Sequence, residues 1–347
     1  MTIADPRRAN TLRVALIGAG MISEYHLIAW SRLARRAQIV AVADPDRAKA
    51  VIRAEAFGIA KIYTDVSSLL DDEDLDAVDI ASPRETHVEN IELAAAHGVD
   101  VLCQKPLAPT LSEAQALLNS VGRRVRLMVH ENWRFRPWYR QIKAWAEEGL
   151  IGDPLLANMT LYSSGLLPDD RGLRPDLERQ PFMAEETRFL IAEVLIHQID
   201  VVRWLMGSMR VVAAQASRTL DVVKGETMAS ILMETADGKP AVVTGMMAAP
   251  GYPPRTLDRF ELIGTKGSAV LDQTSLSLLG PYRQNLTYDF AQSYQASFDG
   301  LIEHFVDCLE TGKEFETCAS DNLETLRLVE HAYWAAGLRE SPHSRNL

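Results

Sequence analysis

The chain is poor in cysteine. Cys103, Cys308 and Cys318 are an odd number with no Cys-x-x-Cys spacing among 347 residues. That count argues against a disulfide framework and against a zinc ribbon, and the thiols are expected to be reduced. No uncharged apolar run approaches the roughly 18 residues of a membrane span, and Met1–Asn10 has no apolar core of the kind a secretory signal needs. No membrane partner is expected, and the cytoplasm is the expected compartment. Positive charge is also short. Lys and Arg number 36 against 47 Asp and Glu, and a net charge of −11 repels a phosphate backbone, so nucleic acid is a poor partner. Internal repeats and low-complexity tracts are absent too. What remains is an ordinary globular composition, 47% hydrophobic and 24% charged, with ample surface for a core. At this length two domains are expected.

Through about residue 130, short β-branched apolar runs alternate with longer helical stretches, the pattern of parallel βαβ units. The runs are Arg13–Ile17, Gln38–Ala43, Ala77–Ala81, Asp100–Cys103 and Val125–Val129. Helical stretches include His87–His97, closed by Gly98, and Leu111–Val121, capped by Thr110. After a helix over Trp138–Glu148 the rhythm changes to strands at Pro154–Tyr162, Arg210–Ser217, Ala229–Glu234, Ala241–Met246 and Arg259–Ile263. One strong helix, Phe189–Met206, interrupts them, and two more close the chain near Ser297–Thr311 and Asn322–Gly337. The expected fold class is α/β: a doubly wound parallel sheet over residues 1–130, then an α+β domain with a largely antiparallel open sheet over 131–347. The terminal helices are free to pack back on the first domain. Leu166–Glu186, polar and rich in Arg and Asp, reads as a long functional loop.

The first strand runs into Gly18-Ala19-Gly20-Met21-Ile22-Ser23, and a helix follows. In a dinucleotide fingerprint the first glycine permits the turn and the second lets a pyrophosphate approach the helix N-terminus. Ser23 takes the third, small-residue position. Asp44 ends the next strand, where a carboxylate meets ribose hydroxyls well and a 2′-phosphate badly, so NAD is expected over NADP. Gly18, Gly20, Met21, Ile22 and Asp44 are therefore cofactor-binding candidates. The alternative is a structural turn with a helix-capping Asp44.

Ligands of open α/β sheets sit beyond the carboxyl ends of the strands. Two such ends carry informative residues: Ser82, Pro83 and His87 in one, Gln104, Lys105 and Pro106 in the other. All but Pro106 are cofactor-edge candidates, and Lys105 is also a catalytic one. On the mostly apolar helix Phe189–Met206, Glu193, His197 and Asp200 form one polar stripe. Buried ionisable groups need a partner or a function, and a histidine beside a carboxylate makes a good general base at neutral pH. A divalent metal site and a structural polar network are the rival readings of that stripe. In His130–Pro137, read as a strand end, His130, Asn132 and Arg134 would share one face, either the solvated face of an edge strand or a row suited to gripping hydroxyls.

Taken together, these residues resemble the glucose-fructose oxidoreductase, inositol dehydrogenase and rhizopine-catabolism (Gfo/Idh/MocA) family over nearly the whole chain. The resemblance rests on the glycine turn with His26, Ser82-Pro83 with His87, Lys105-Pro106, and Asn132-x-Arg134-Phe135-x-Pro137. It continues through the helix with His197 and Asp200, Trp204-Leu205-Met206-Gly207, and Gly264-Thr265-Lys266-Gly267. It implies a Rossmann domain, NAD as cofactor, a small sugar or polyol as substrate, no metal, and a homodimer or homotetramer. By it, Lys105 contacts nicotinamide and the reacting hydroxyl, His197 accepts the proton, and Glu193 holds substrate and tunes His197. Asn132 and Arg134 are implied substrate contacts, and Arg134 a cofactor contact as well. Three positions depart from the family pattern: Gln104 replaces its usual Glu, Glu193 its usual Asp, and Leu195 its usual Gly. Because the family includes regulators, a non-catalytic NAD-sensing protein is the alternative of another class.

Overall fold

The computed structural model describes residues 11–338, so Met1–Asn10, read above as lacking a secretory core, lies outside the described residues. Two compact units emerge. One runs up to Phe135 and includes Tyr294–Glu324; the other comprises Arg136–Ser293 and the chain from Thr325 on. The division falls after Phe135 rather than after residue 130, and the return of Tyr294–Glu324 to the first unit is the packing that the sequence left open for the terminal helices.

The first unit is built on a six-stranded, all-parallel sheet: β1 (Leu12–Ile17), β2 (Ala37–Ala43), β3 (Lys61–Tyr63), β4 (Ala77–Ile80), β5 (Asp100–Gln104) and β6 (Leu127–His130). Their spatial order is β3-β2-β1-β4-β5-β6. The order reverses between β1 and β4, which makes a ligand crevice at the carboxyl ends of these strands. The apolar runs of β1 and β4 follow from their central place, since helices cover both faces of such a sheet. Val14–Ile17 and Ala77–Ile80 are all buried. Local chemistry fixes the helix starts. Thr110 accepts from the Glu113 backbone N–H at 3.2 Å, and Asp46 from that of Ala48 at 3.0 Å.

The second unit holds an eight-stranded, largely antiparallel sheet: β7 (Pro154–Tyr162), β8 (Met209–Ser217), β9 (Met228–Thr235), β10 (Pro240–Met246), β11 (Asp258–Gly264), β12 (Ser268–Asp272), β13 (Ser275–Leu279) and β14 (Gln284–Thr287). Only β7 and β10 pair in parallel. The family-like turn at Gly264–Gly267 is a packing device: a Cβ on Gly264 would lie 2.3 Å from the Ile151 carbonyl oxygen.

Several expectations need correction. β6 stops at His130, and Asn132–Phe135 is a 3₁₀ turn rather than strand. All four of its residues are buried, so the solvated face that a period-two edge strand requires does not exist there. The helix expected over Phe189–Met206 divides into a π-helical stretch, Leu190–Leu195, and an α-helix, Ile196–Met206. Leu166–Glu186 contains two short helical pieces, Pro175–Arg179 and Pro181–Ala184. Four short strands, β3 and β12 to β14, escaped the sequence reading. Among the described residues no helix is long and apolar enough to cross a membrane.

Candidate active site

The cofactor side of the site is assembled at the carboxyl ends of β1, β2, β4 and β5. After β1, Gly18 has φ +98°, and a Cβ there would stand 2.6 Å from the Ser82 backbone nitrogen. Only glycine lets the turn lie this close to the end of β4. Gly20 is the opposite case: a Cβ on it would meet nothing within 4 Å. It leaves open space over the N-terminus of the helix Ser23–Arg32, a cradle that fits a pyrophosphate. Met21 is exposed and Ile22 half-buried beside it. Ser23 is buried, and its hydroxyl donates to the Gly20 carbonyl at 2.6 Å.

Asp44 is engaged by two backbone N–H groups. One of its carboxylate oxygens accepts from the Ala19 N–H at 2.7 Å, the other from the Asp46 N–H at 2.8 Å. The capping position that sequence left open for Asp44 belongs to Asp46. Arg53, missed by the sequence reading, donates to the Gly20 carbonyl at 3.2 Å and to Ser23 Oγ at 3.1 Å, bracing the same turn.

His87 ties two strand ends together. Its Nδ1 lies 2.8 Å from the Pro106 carbonyl oxygen and its Nε2 3.0 Å from that of Ser82. A carbonyl oxygen only accepts, so both bonds form together when both ring nitrogens carry protons. The Lys105–Pro106 peptide is cis. Lys105 is half-buried, and its backbone N–H donates to Gln104 Oε1 at 3.0 Å. Burial pushes the neighbouring Cys103 thiol well up, with the Asp79 charge adding to it, which keeps it unreactive.

Asn132 and Arg134 are bound within the first unit. The Asn132 amide donates to Ser297 Oγ at 2.8 Å. Arg134, 2% exposed, donates to Asp321 at 2.6 Å and to the Glu316 carbonyl at 3.3 Å.

In the second unit, His197 is buried and Glu193 half-buried. Glu193 lies in the π-helical stretch, whose wider i→i+5 turns alter the simple four-residue spacing read from sequence; such turns recur at functional sites. Asp200 is fully buried, accepts from Thr325 Oγ1 at 2.7 Å and pairs with Arg203 at 3.5 Å. These two partners are of the kind the structural-network reading calls for. Among the described residues no group of three or more His, Cys, Asp or Glu is placed to share a metal ion. Leu195 is buried, and Gly245 of β10 makes room for it, since a Cβ there would lie 2.8 Å from Leu195 Cδ2. In the loop, burial pushes the Asp176 carboxyl up, partly countered by Arg179.

Comparison with known proteins follows the same two-part division. Residues 12–131 match the family described as "Oxidoreductase family, NAD-binding Rossmann fold", and residues 139–270 match the "GFO/IDH/MocA C-terminal domain". A D-apiose dehydrogenase of Paraburkholderia graminis is 34% identical, over 93% of this chain and 87% of its own length. An inositol 2-dehydrogenase of Rhizobium meliloti is 30% identical over 93% of this chain and 96% of its own. Among solved structures, an oxidoreductase from Agrobacterium radiobacter in complex with NAD+, L-tartaric acid and magnesium is 32% identical. It covers 94% of this chain and 97% of its own, with a TM-score of 0.87. The chain belongs to the Gfo/Idh/MocA family of NAD-dependent oxidoreductases.

Proposed function

We propose that the chain oxidises a hydroxyl of a small cyclic sugar, with D-apiose as the preferred substrate and the lactone, or the acid derived from it, as product. The observation that carries this reading is the half-buried Lys105 at the carboxyl end of β5, on the sheet edge that also carries the glycine turn. The sequence runs Leu102–Leu107 and His130–Pro137 are similar to those of bacterial D-apiose dehydrogenases, in keeping with the relative at 34% identity. The inositol 2-dehydrogenase at 30% identity supports the second reading, an inositol or other aldose or polyol as substrate.

Bound NAD supplies the hydride acceptor. Lys105 holds the reacting hydroxyl and steadies its oxygen as the O–H bond breaks. His197 takes the released proton, and Glu193 orients the substrate and the imidazole. As the C–H electron pair departs with the hydride, the C–O bond becomes a carbonyl. Asn132 and Arg134, whose polar groups bond to Ser297 and Asp321, shape the site by holding the 3₁₀ turn in place.

A panel of sugars, inositols, lactate and simple alcohols, followed by NADH absorbance, tests the substrate class. A site built to pair with hydroxyls rejects analogues lacking them by as much as about 10⁴–10⁵-fold. D-apiose is expected to lead, other aldoses and inositols to follow, and lactate and alcohols to give almost nothing. Lactate outperforming every sugar would refute the assignment. Cofactor choice is tested at Asp44. Asp44→Ala removes the ribose acceptor and the acceptor of the Ala19 N–H, and hydrogen bonds to a charged group are worth roughly 1.5–3 kcal/mol. The expected result is an NAD KM raised about tenfold or more and a narrowed preference for NAD over NADP. An unchanged ratio of the two efficiencies would remove Asp44 from the selectivity.

A further inference from the structure

Behind Lys105 lies a connected set of buried polar groups that the functional reading above leaves unused. Asp79 sits in the central strand β4 with no exposed surface. Its Oδ2 accepts from Trp30 Nε1 at 2.7 Å and lies 2.8 Å from Nδ1 of the equally buried His26. The other ring nitrogen of His26, Nε2, is 3.0 Å from Gln104 Nε2. The same amide nitrogen lies 3.3 Å from Nδ1 of His130. The two imidazoles stack with centroids 4.2 Å apart, and Phe298 packs edge-on to His26 at 5.4 Å.

One atom with no choice of role settles every proton in this set. The Lys105 backbone N–H can only donate, so the Gln104 atom facing it at 3.0 Å is the carbonyl oxygen. A flipped amide would set two donors against each other. The Gln104 NH₂ group therefore points at both histidines, and each ring nitrogen it meets must be a bare acceptor. His26 then carries its proton on Nδ1 and donates it to Asp79, while His130 carries its proton on Nε2. Other ionisable side chains near this set include Cys103, kept as a thiol, Tyr25 and Tyr294, which pack on Phe298, and Glu131, whose Oε1 accepts from the Trp133 N–H at 3.3 Å.

We propose that Asp79, His26 and Gln104 are positioning residues: a buried relay that holds two neutral histidines in opposite tautomers and, through the Gln104 carbonyl, fixes the backbone of Lys105. Its effect on turnover rests on the proposed role of Lys105; the tautomers do not. Gln104 matters because a glutamate, the family's usual residue at this position, has only acceptors when ionised. Its outer oxygen would face two bare nitrogens, and the contact becomes favourable when a proton is added to the glutamate or to a histidine, or when His130 moves its proton from Nε2 to Nδ1.

Two measurements test this. Long-range ¹H–¹⁵N correlation spectra of the unmodified protein, labelled on histidine, should show His26 as the Nδ1–H tautomer and His130 as the Nε2–H tautomer at neutral pH. An imidazolium at either position, or His26 protonated on Nε2, would overturn the relay. In steady-state kinetics, Gln104→Met keeps the shape and removes the hydrogen bonds. It should lower kcat at least tenfold with little change in NAD KM. Gln104→Glu should recover part of that kcat while shifting the pH profile of turnover. A merely structural residue would not move that profile, so a Gln104→Glu profile superimposing on the parent's counts against the proposal, as does a Gln104→Met kcat equal to the parent's. If Lys105→Ala itself keeps normal turnover, the role given to Lys105 fails, and the spectra still decide the tautomers on their own.

Discussion

Replacing His197 by alanine is expected to lower kcat by about 10²–10⁴-fold, the usual contribution of a positioned general base. The dissociation constant for NAD, measured by NADH fluorescence or calorimetry, should stay near that of the parent, because His197 belongs to the second unit while the glycine turn and Asp44 belong to the first. The parent's oxidation rate should rise with pH as the imidazole loses its proton, and His197→Ala should flatten that limb. Lys105→Ala should also lower turnover strongly and disturb nicotinamide placement. Near-normal turnover in His197→Ala would shift weight to a structural role for the imidazole, like that of its neighbour Asp200 with Thr325 and Arg203.

The second large effect is expected at Gly18. An alanine there must adopt φ near +98° and place its Cβ 2.6 Å from the Ser82 nitrogen and 2.7 Å from the Ala81 carbonyl carbon. Both are backbone atoms of the adjacent strand end, so no side chain can swing aside. Unfavourable backbone geometry and overpacking cost about 1–3 kcal/mol each. At roughly 2–4 °C per kcal/mol for a domain of this size, thermal unfolding should fall by about 5–15 °C, with NAD affinity reduced as well. Gly20→Ala is the informative partner variant. Its Cβ meets nothing within 4 Å in the protein. Melting should therefore change little, while NAD binding weakens because the added methyl intrudes on the cradle. A Gly18→Ala melting point within a degree of the parent's would show that the β1 and β4 ends can part without penalty.

Much of the first unit was legible because its signals are local. The apolar runs of β1 and β4, the glycine turn between strand and helix, and the Thr110 cap each declare themselves within a few residues. Other features depend on partners far away in sequence. Arg134 meets Asp321 across 187 positions, and Asn132 meets Ser297 across 165, so nothing beside them announces that they are engaged. Leu195 looked like an intrusion where the family has glycine, and its accommodation lies in Gly245 on another strand. Asp79 lies inside the apolar run Ala77–Ala81 with nothing local to mark it, and the histidine it pairs with is 53 positions away. The π-helical turn has no compositional signature either, since its residues are as apolar and helix-favouring as those that follow.

The return of Tyr294–Glu324 to the first unit has a consequence for how the protein is made. Its segment of the helix Phe290–Thr311 brings Phe298, Leu301, Ile302, Phe305 and Val306 into one buried cluster with Val14, Ala29, Trp30, Met128 and Phe135. Thr317 bonds to the Val129 carbonyl, and Met128 bridges Cys318. About 160 residues separate the two segments of this unit. At roughly 5–20 residues per second, a ribosome needs about 10–30 s to deliver the missing part. During that interval the nascent sheet carries Trp30 and Phe135 without the side chains that cover them. The nucleotide-binding half, although its sheet leaves the exit tunnel before the second unit, thus cannot finish its core until Tyr294–Glu324 has emerged, and that interval is when it most needs shelter from aggregation.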